Sequence, residues 1–265
     1  MNLIIDIGNT RIKAGLFRQN ELKHFFVFEI HPNKSLSKEL QHSSDDTFER
    51  TAETFFAANL FKKYSVKQCI LATVVDKIEP FINRIKGETQ TLLFTSEVPT
   101  PLINRYKSIH TLGSDRLAAA VGGSFLIPNK NVLVIDAGTC IKYNFVNNNE
   151  YIGGAISPGL QMRFNALHTF TSRLPLLELD ENFDTLIGTN TNESILSGIE
   201  IGAIAEAEGF IGKYKHLYPD LNVVLTGGDT NFFEKRLKSP IFTDSFLILK
   251  GLNRILEYNL KRSDF

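Results

Sequence analysis

The sequence predicts an α/β protein made of two similar halves, and three observations carry that expectation. The first is a run that stops on an acid and turns on glycine, Leu3-Ile4-Ile5-Asp6-Ile7-Gly8-Asn9-Thr10. It returns as Arg11-Ile12-Lys13-Ala14-Gly15-Leu16-Phe17 with alternating character, the pattern of a hairpin with a carboxylate at its tip. The second is a recurrence of that device, Val132-Leu133-Val134-Ile135-Asp136-Ala137-Gly138-Thr139, returning through Cys140 to Val146 with the same Ile-Lys pair. The third is the succession after each hairpin: a further strand, then helix, strand, helix and a closing strand.

In chain order, Glu21 to Ile30 reads as the third antiparallel strand, through Phe25-Phe26-Val27-Phe28. His31 to Ser44 is a polar connection. Asp45 to Tyr64 carries Phe48, Ala52, Phe55, Phe56, Leu60 and Phe61 at three-to-four spacing, an amphipathic helix. Gln68 to Val75 is an apolar strand, Asp76 to Ile85 a short helix, and Thr91 to Thr95 a strand. Pro99 to His110 reads as a loop, after which Gly113-Ser114-Asp115-Arg116 opens a helix from Leu117 to Phe125. The second half starts its strand at Asn131 and has its third strand at Tyr151 to Ile156. Ser157-Pro158-Gly159 then turns into a helix from Leu160 to Leu167. Asn190-Thr191-Asn192-Glu193 resembles a capping box and launches one long helix to about Leu217. Leu221 to Thr226 is a strand ending on Gly227-Gly228-Asp229. A helix, a strand from Ile241 to Leu247 and a final helix from Leu249 complete the chain. The domains expected are 1–112 and 113–265, with a nucleotide cleft between them.

At 265 residues, 43% hydrophobic and 22% charged, the composition is that of an ordinary globular protein with ample core. Lys+Arg equals Asp+Glu at 29 each, so nothing in the balance favours nucleic acid or an anionic membrane. Cys69 and Cys140 fall in strands of different halves and suit a reducing compartment rather than a disulfide framework. The chain opens directly on a strand, with no signal-peptide pattern and no run of membrane-spanning length, so a cytoplasmic protein is expected.

The hairpin tips carry the chemistry. A carboxylate at a strand end can hold a hydrated Mg²⁺, which takes one or two carboxylates plus substrate phosphates. The turn that follows can aim backbone N–H groups at phosphate oxygens. One such tip by itself reads first as an ordinary tight turn with a solvated acid, but two matching copies point to a triphosphate gripped from both halves. No Walker loop competes for the phosphates, since Gly209-Phe210-Ile211-Gly212-Lys213-Tyr214 lacks the required spacing and the hydroxyl after Lys. Gly227-Gly228 would let a base or ribose approach the backbone; the alternative is a plain turn with Asp229 capping the next helix. Gly153 to Gly159 reads equally as a cleft lining or as a close-packed strand and turn. The six histidines show no zinc spacing. Asp115 sits beside Arg116 at a predicted helix start, where N–H groups and a guanidinium attract a carboxylate. It suits either a base taking a hydroxyl proton during phosphoryl transfer or a structural cap.

Taken together, these residues make the chain resemble the type III pantothenate kinases, of the superfamily of acetate and sugar kinases, Hsp70 and actin. The resemblance is carried by Asp6-Ile7-Gly8-Asn9-Thr10 with Lys13, Tyr106 ahead of Gly113-Ser114-Asp115-Arg116, and Asp136-Ala137-Gly138-Thr139. It continues through Gly153-Gly154-Ala155-Ile156-Ser157-Pro158-Gly159, Leu174-Pro175, Gly188-x-x-Thr191 and Gly227-Gly228-Asp229. Thr73 and Asp76 depart from the family's strand-end motif, which favours Ser and Pro there, and the region around Arg173 is also less standard. The resemblance implies duplicated actin-like (ribonuclease H-like) halves, each with a mixed five-stranded sheet. It implies ATP-dependent phosphorylation of pantothenate, a transferase reaction with an alcohol acceptor that opens coenzyme A synthesis. ATP and Mg²⁺ would be held by Asp6, Gly8, Asn9, Thr10 and Lys13, with Thr139, Gly227 and Gly228 as further nucleotide contacts. Asp115 matches the proton acceptor, and Tyr106, Gly113, Ser114, Asp115 itself, Arg116 and Thr191 match pantothenate contacts. Asp136 matches the position of a monovalent cation, K⁺ or NH₄⁺, and the family is typically homodimeric. Other readings are a nucleotide-binding regulator without turnover, and another kinase or ATPase of the same superfamily.

Overall fold

The computed structural model describes residues 1–29, 60–75 and 78–262. β1 (Asn2–Ile7), β2 (Arg11–Arg18) and β3 (Glu21–Glu29) form the expected antiparallel trio. β4 (Gln68–Thr73) lies parallel to β1 and β5 (Gln90–Phe94) parallel to β4, giving the order β3-β2-β1-β4-β5. Parallel neighbours need crossover connections. α1 (Leu60–Lys63) precedes β4, and α2 (Glu79–Glu88) joins β4 to β5. Central β1 buries Leu3, Ile4, Ile5 and Ile7, which is why its sequence is a continuous apolar run. Of the helix expected over Asp45–Tyr64, Leu60 and Phe61 are described. Phe48, Ala52, Phe55 and Phe56 lie outside the described residues, as do the connection from His31 to Ser44 and Asp76.

The second sheet has six strands where five were expected. Its order is β11-β10-β7-β8-β9-β6, with β6 Ile103–Asn104, β7 Val132–Ala137, β8 Cys140–Asn147, β9 Glu150–Pro158, β10 Asn222–Thr226 and β11 Phe242–Thr243. The addition is β6, inside the stretch read as a loop. Ile103 N donates to Asn149 O at 3.1 Å and Arg105 N to Tyr151 O at 2.9 Å, while Arg105 also pairs with Glu150. A strand of two residues has no alternation for a sequence pattern to show.

The remaining helices are α3 (Ser114–Leu126), α4 (Leu160–Phe170), α5 (Thr191–Leu196), α6 (Gly202–Leu217), α7 (Thr230–Glu234) and α8 (Leu247–Lys261). The long helix expected after Asn190 is interrupted: Ser197–Ile201 is a π-helical segment between α5 and α6. It turns Glu200 into the interior, where its Oε1 accepts the Asp180 N–H at 2.9 Å. The strand expected over Ile241–Leu247 shrinks to β11. Asp244 Oδ1 accepts the Phe246 N–H at 2.9 Å, a turn that ends the strand and leads into α8.

The chain forms two compact units. One comprises Met1–Leu102, Lys107–Phe125 and Ile248–Phe265; the other comprises Ile103–Tyr106 and Leu126–Leu247. The sequence reading cut the chain once, after residue 112, whereas the packing units are discontinuous: helix α3 and most of α8 group with the first sheet. Within that unit, Asn2 Nδ2 donates to Asn253 Oδ1 at 3.1 Å, Asn253 Nδ2 to Gln19 O at 2.8 Å, and Asn259 Nδ2 to Pro99 O at 2.9 Å. The second unit's core gathers Leu133, Ile135, Tyr143, Phe164, Ile195, Ile199 and Ile211 among others. Ile195 and Ile199 belong to this core, and partly buried Ile204 and Phe210 pack against it.

Candidate active site

In the first unit, the turn between β1 and β2 is closed by Gly8 N donating to Arg11 O at 3.0 Å. Asp6 is buried at the strand end, facing Lys13 in register, while Asn9 and Thr10 are exposed at the tip. β4 pairs Thr73 with Ile7, and Val74 N donates to Ile7 O at 3.1 Å. Ser114 Oγ donates to Thr73 O at 3.3 Å. One sheet end thus brings together the Asp6 turn and the start of α3. There Asp115 is half-buried, with its Oδ1 accepting the Arg116 N–H at 2.8 Å, and Arg116 is buried. Thr73, the departure from the expected motif, holds the strand end by exchanging hydrogen bonds with Val75 through its hydroxyl.

In the second unit, three glycine-bearing motifs meet at one turn. Gly138 N donates to Cys140 O at 3.1 Å, closing the turn below exposed Thr139. Gly159 N donates to Thr139 O at 3.2 Å, and a Cβ on Gly159 would lie 2.0 Å from Gly138 O, so only glycine fits. On the other side Asp229 N donates to Ala137 O at 3.0 Å. Gly227 has φ +105° and would press a Cβ to 2.1 Å from Ala137 O. The Asp136 turn, the Gly153-to-Gly159 run and Gly227-Gly228-Asp229 are one construction. Asp136 itself is buried, and Lys142 Nζ lies 3.0 Å from its Oδ2. Asp229 stands at the start of α7 but its side chain makes no capping hydrogen bond there.

Tyr106 follows β6 in the second unit and lies against Gly153, with its ring centroid 6.1 Å from that of Tyr151. Thr191 lies in the wall of an open depression of about 500 Å³ also lined by Leu167, Leu174, Gly188 and Asn190. Its helix start is capped by Asn190, whose Oδ1 accepts the Glu193 N–H at 3.0 Å. Glu193 reaches back one residue further than a standard box, to Thr189 N and Oγ1, both at 2.8 Å.

Comparison with known proteins decides what this pair of turns belongs to. A family model described as type III pantothenate kinase matches residues 2–213. A type III pantothenate kinase of Bacteroides fragilis is 44% identical over 261 residues, covering 98% of each chain. One from Flavobacterium johnsoniae is 38% identical, covering 98% of this chain and 99% of that one. The chain belongs to the type III pantothenate kinase family. Solved structures show how widely the fold is shared. A Campylobacter jejuni protein described as of the Baf family of transcriptional activators aligns at TM-score 0.62 and 19% identity, over 98% of this chain and 99% of that one. A ROK hexokinase of Thermus thermophilus aligns at 0.53 and 13%, with the same coverage. At such identities the likeness is one of fold, here the actin-like and sugar-kinase fold that the family resemblance implies.

Set within the kinase family, the second unit also holds functional candidates that the sequence reading passed over. Arg163 Nη2 lies 2.6 Å from Glu206 Oε2, and Arg163 Nε donates to Pro158 O at 2.9 Å. Ser157 Oγ and Tyr143 Oη both donate to Glu206 Oε1. This network fixes the Ser157-Pro158-Gly159 turn against the Asp136 hairpin. Burial alone would raise the Glu206 pKa; hydrogen bonds from Ser157 and Arg163, the Arg163 charge and Tyr143 outweigh it and hold the carboxyl below its ordinary value. Tyr143 is pushed up, first by burial and then by the neighbouring Glu206 charge. The signal that could have found this network is Arg163 placed shortly after Pro158-Gly159; Glu206 offered none. Among the described residues no three His, Cys, Asp or Glu side chains group to cage a metal. A Mg²⁺ held by one carboxylate and the phosphates of ATP needs no cage, and buried Asp6 beside an exposed polar turn fits that mode.

Proposed function

We propose that this chain transfers the γ-phosphoryl group of ATP to the primary hydroxyl of pantothenate, giving 4'-phosphopantothenate and opening coenzyme A synthesis. The observation that carries this reading is membership of the family across nearly the whole chain, with relatives named for that activity. In it Asp6 carries the Mg²⁺, and Gly8, Asn9, Thr10 and Lys13 face the ATP phosphates. When bound, Mg²⁺ neutralises charge on the phosphates as the phosphoryl group passes between oxygens. Thr139 gives a further phosphate contact, and Gly227 and Gly228 admit the nucleoside. Tyr106, Gly113, Ser114, Arg116 and Thr191 orient pantothenate. Asp115 takes the hydroxyl proton, a transfer that a loose phosphoryl-transfer transition state requires only late. A second positive charge at Asp136, where the resemblance implies K⁺ or NH₄⁺, belongs to the same reading.

The reading extends to assembly and compartment. Phe170, Leu186 and Ile187 stand 85%, 70% and 77% exposed on the second unit, an apolar set that suits burial in a homodimer. Use of ATP, two cysteines outside any disulfide, and the lack, among the described residues, of a helix long and apolar enough to cross a membrane all suit the cytoplasm. The deciding experiment is ADP release from ATP and Mg²⁺ with and without pantothenate, with the product identified by mass. Release that needs pantothenate is expected. Equal release without it would make the chain an ATPase, and nucleotide binding without any turnover would make it a regulator.

A further inference from the structure

Lys142 is a cation to which the kinase reading gives no role. It stands directly across the antiparallel ladder from Asp136, so both side chains leave the sheet on one face. Its Nζ lies 3.0 Å from Asp136 Oδ2, with the lysine side chain 22% exposed and the carboxylate 10%. An ε-ammonium carries the single charge of K⁺ and is chemically an alkylated NH₄⁺, the two ions that the resemblance puts at this acid. A dissolved ion could reach the carboxylate only by displacing an ammonium already bonded to it. That exchange would strand a largely buried positive charge, which is strongly unfavourable. The residues present therefore do not fit a dissolved monovalent cation at Asp136.

We propose that Lys142 is a built-in monovalent cation: it supplies at Asp136 the positive charge that would otherwise be recruited from solution, so phosphoryl transfer by this chain does not require K⁺ or NH₄⁺. The charge is needed because a triphosphate beside a buried carboxylate is more negative than one Mg²⁺ neutralises. Tethering makes its supply independent of ionic conditions, and partial burial protects it from screening. Lys142 is a positioning residue in this proposal, acting on the nucleotide through Asp136. The inference rests on the kinase reading above.

The test compares the full-length chain with Lys142→Met, which keeps an apolar stem of similar length without the charge, and with Lys142→Arg, which keeps a charge. Pantothenate-dependent ADP release is measured with K⁺, NH₄⁺, Na⁺ or tetramethylammonium as the only monovalent cation, alongside thermal melting in each salt. The wild type is expected to turn over equally in all four. Lys142→Met is expected to lose roughly tenfold or more in tetramethylammonium, as for removal of a charge-stabilising group. K⁺ or NH₄⁺ should restore its rate and raise its melting temperature, with no such rise for wild type or Lys142→Arg. A wild type that needs K⁺, or a folded Lys142→Met that turns over fully in tetramethylammonium, would overturn the proposal. Absence of pantothenate-dependent release in every salt would instead overturn the kinase reading. The melting arm then still decides Lys142, since a K⁺-dependent rise confined to Lys142→Met requires no turnover.

Discussion

The two hairpins share a register and differ in what surrounds it. Asp6 faces Lys13 and Asp136 faces Lys142, each pair one ladder position before the turn. The first turn has one more residue, and Asn9, Thr10 and Arg11 stand exposed at its tip. The second is wedged between Gly159 and Gly227 and has its acid bonded to the lysine at 3.0 Å, whereas among the described residues Lys13 forms no ion pair. The same strand-turn-strand unit thus yields an open tip suited to gripping a ligand and a braced one whose charge is settled within the protein.

The largest effect expected lies outside both turns and gives the scale for them. Asp115→Asn should lower kcat by roughly 10²–10⁴-fold if it is the base. ATP affinity and melting temperature should change little, as read by steady-state kinetics, nucleotide titration and calorimetry. A stably folded variant with near-normal kcat would reduce Asp115 to a cap or a positioning group. Next comes the contrast between the acids. Asp6→Asn should cost roughly 10²–10³-fold in kcat/KM for ATP, as expected for loss of electrostatic stabilisation at the phosphates. Asp136→Asn should cost less in rate and more in melting temperature, because Lys142 then loses its counter-ion. Equal profiles for the two variants would abolish the proposed division of labour.

Much of this was legible in the chain, for reasons that differ by residue. Asp6-x-Gly8 and Asp136-x-Gly138 announced themselves because a buried strand, an acid and a tight turn each restrict residue choice locally. The Ile-Lys repeat was visible too, but only the register shows that Lys142 lands opposite Asp136. What escaped was long-range or very short. Glu206 meets Ser157 and Arg163 from 49 and 43 residues away, and no local pattern marks it. β6 is two residues long, and the π-helical segment keeps a helical apolar spacing on both sides of its irregularity. Ile195 and Ile199 pack into a core shared with strands distant in sequence, so helical spacing alone does not show what covers them.

Smaller effects sharpen the contrast in bracing. A Cβ on Gly8 would meet only Arg11 O at 3.4 Å, so Gly8→Ala should shift stability by about 0.5 kcal/mol or less. Gly159→Ala forces a Cβ to 2.0 Å from Gly138 O and should cost about 1–3 kcal/mol, checked by urea denaturation. The smallest signature is in pH. Glu206 has its folded pKa depressed, so its contribution is present above the ordinary carboxylate pKa and is lost as pH falls through the lower folded value. Glu200 is shifted the other way, chiefly by burial: the folded state holds its proton more tightly, and stability falls as pH rises past the unfolded value. Melting curves against pH should therefore show Glu206→Gln flattening the acid limb and Glu200→Gln relieving a loss toward neutrality. Superimposable curves for the two variants would remove these assignments.

The discontinuity of the first unit bears on how the protein is made. Gly251 packs so closely on the Ala118 backbone that a Cβ would lie 2.0 Å from its carbonyl oxygen, and Asn253 bonds to both Asn2 and Gln19. Strands β1 and β2 leave the ribosome more than 200 residues before the helix that closes on them. The whole second unit can be translated and can fold while the first sheet still lacks its cover. For that interval nascent chains should expose apolar surface to chaperones and proteases. Arrested chains lacking residues 247–261 should be captured and degraded, whereas adding the final helix should protect the N-terminal strands from cleavage.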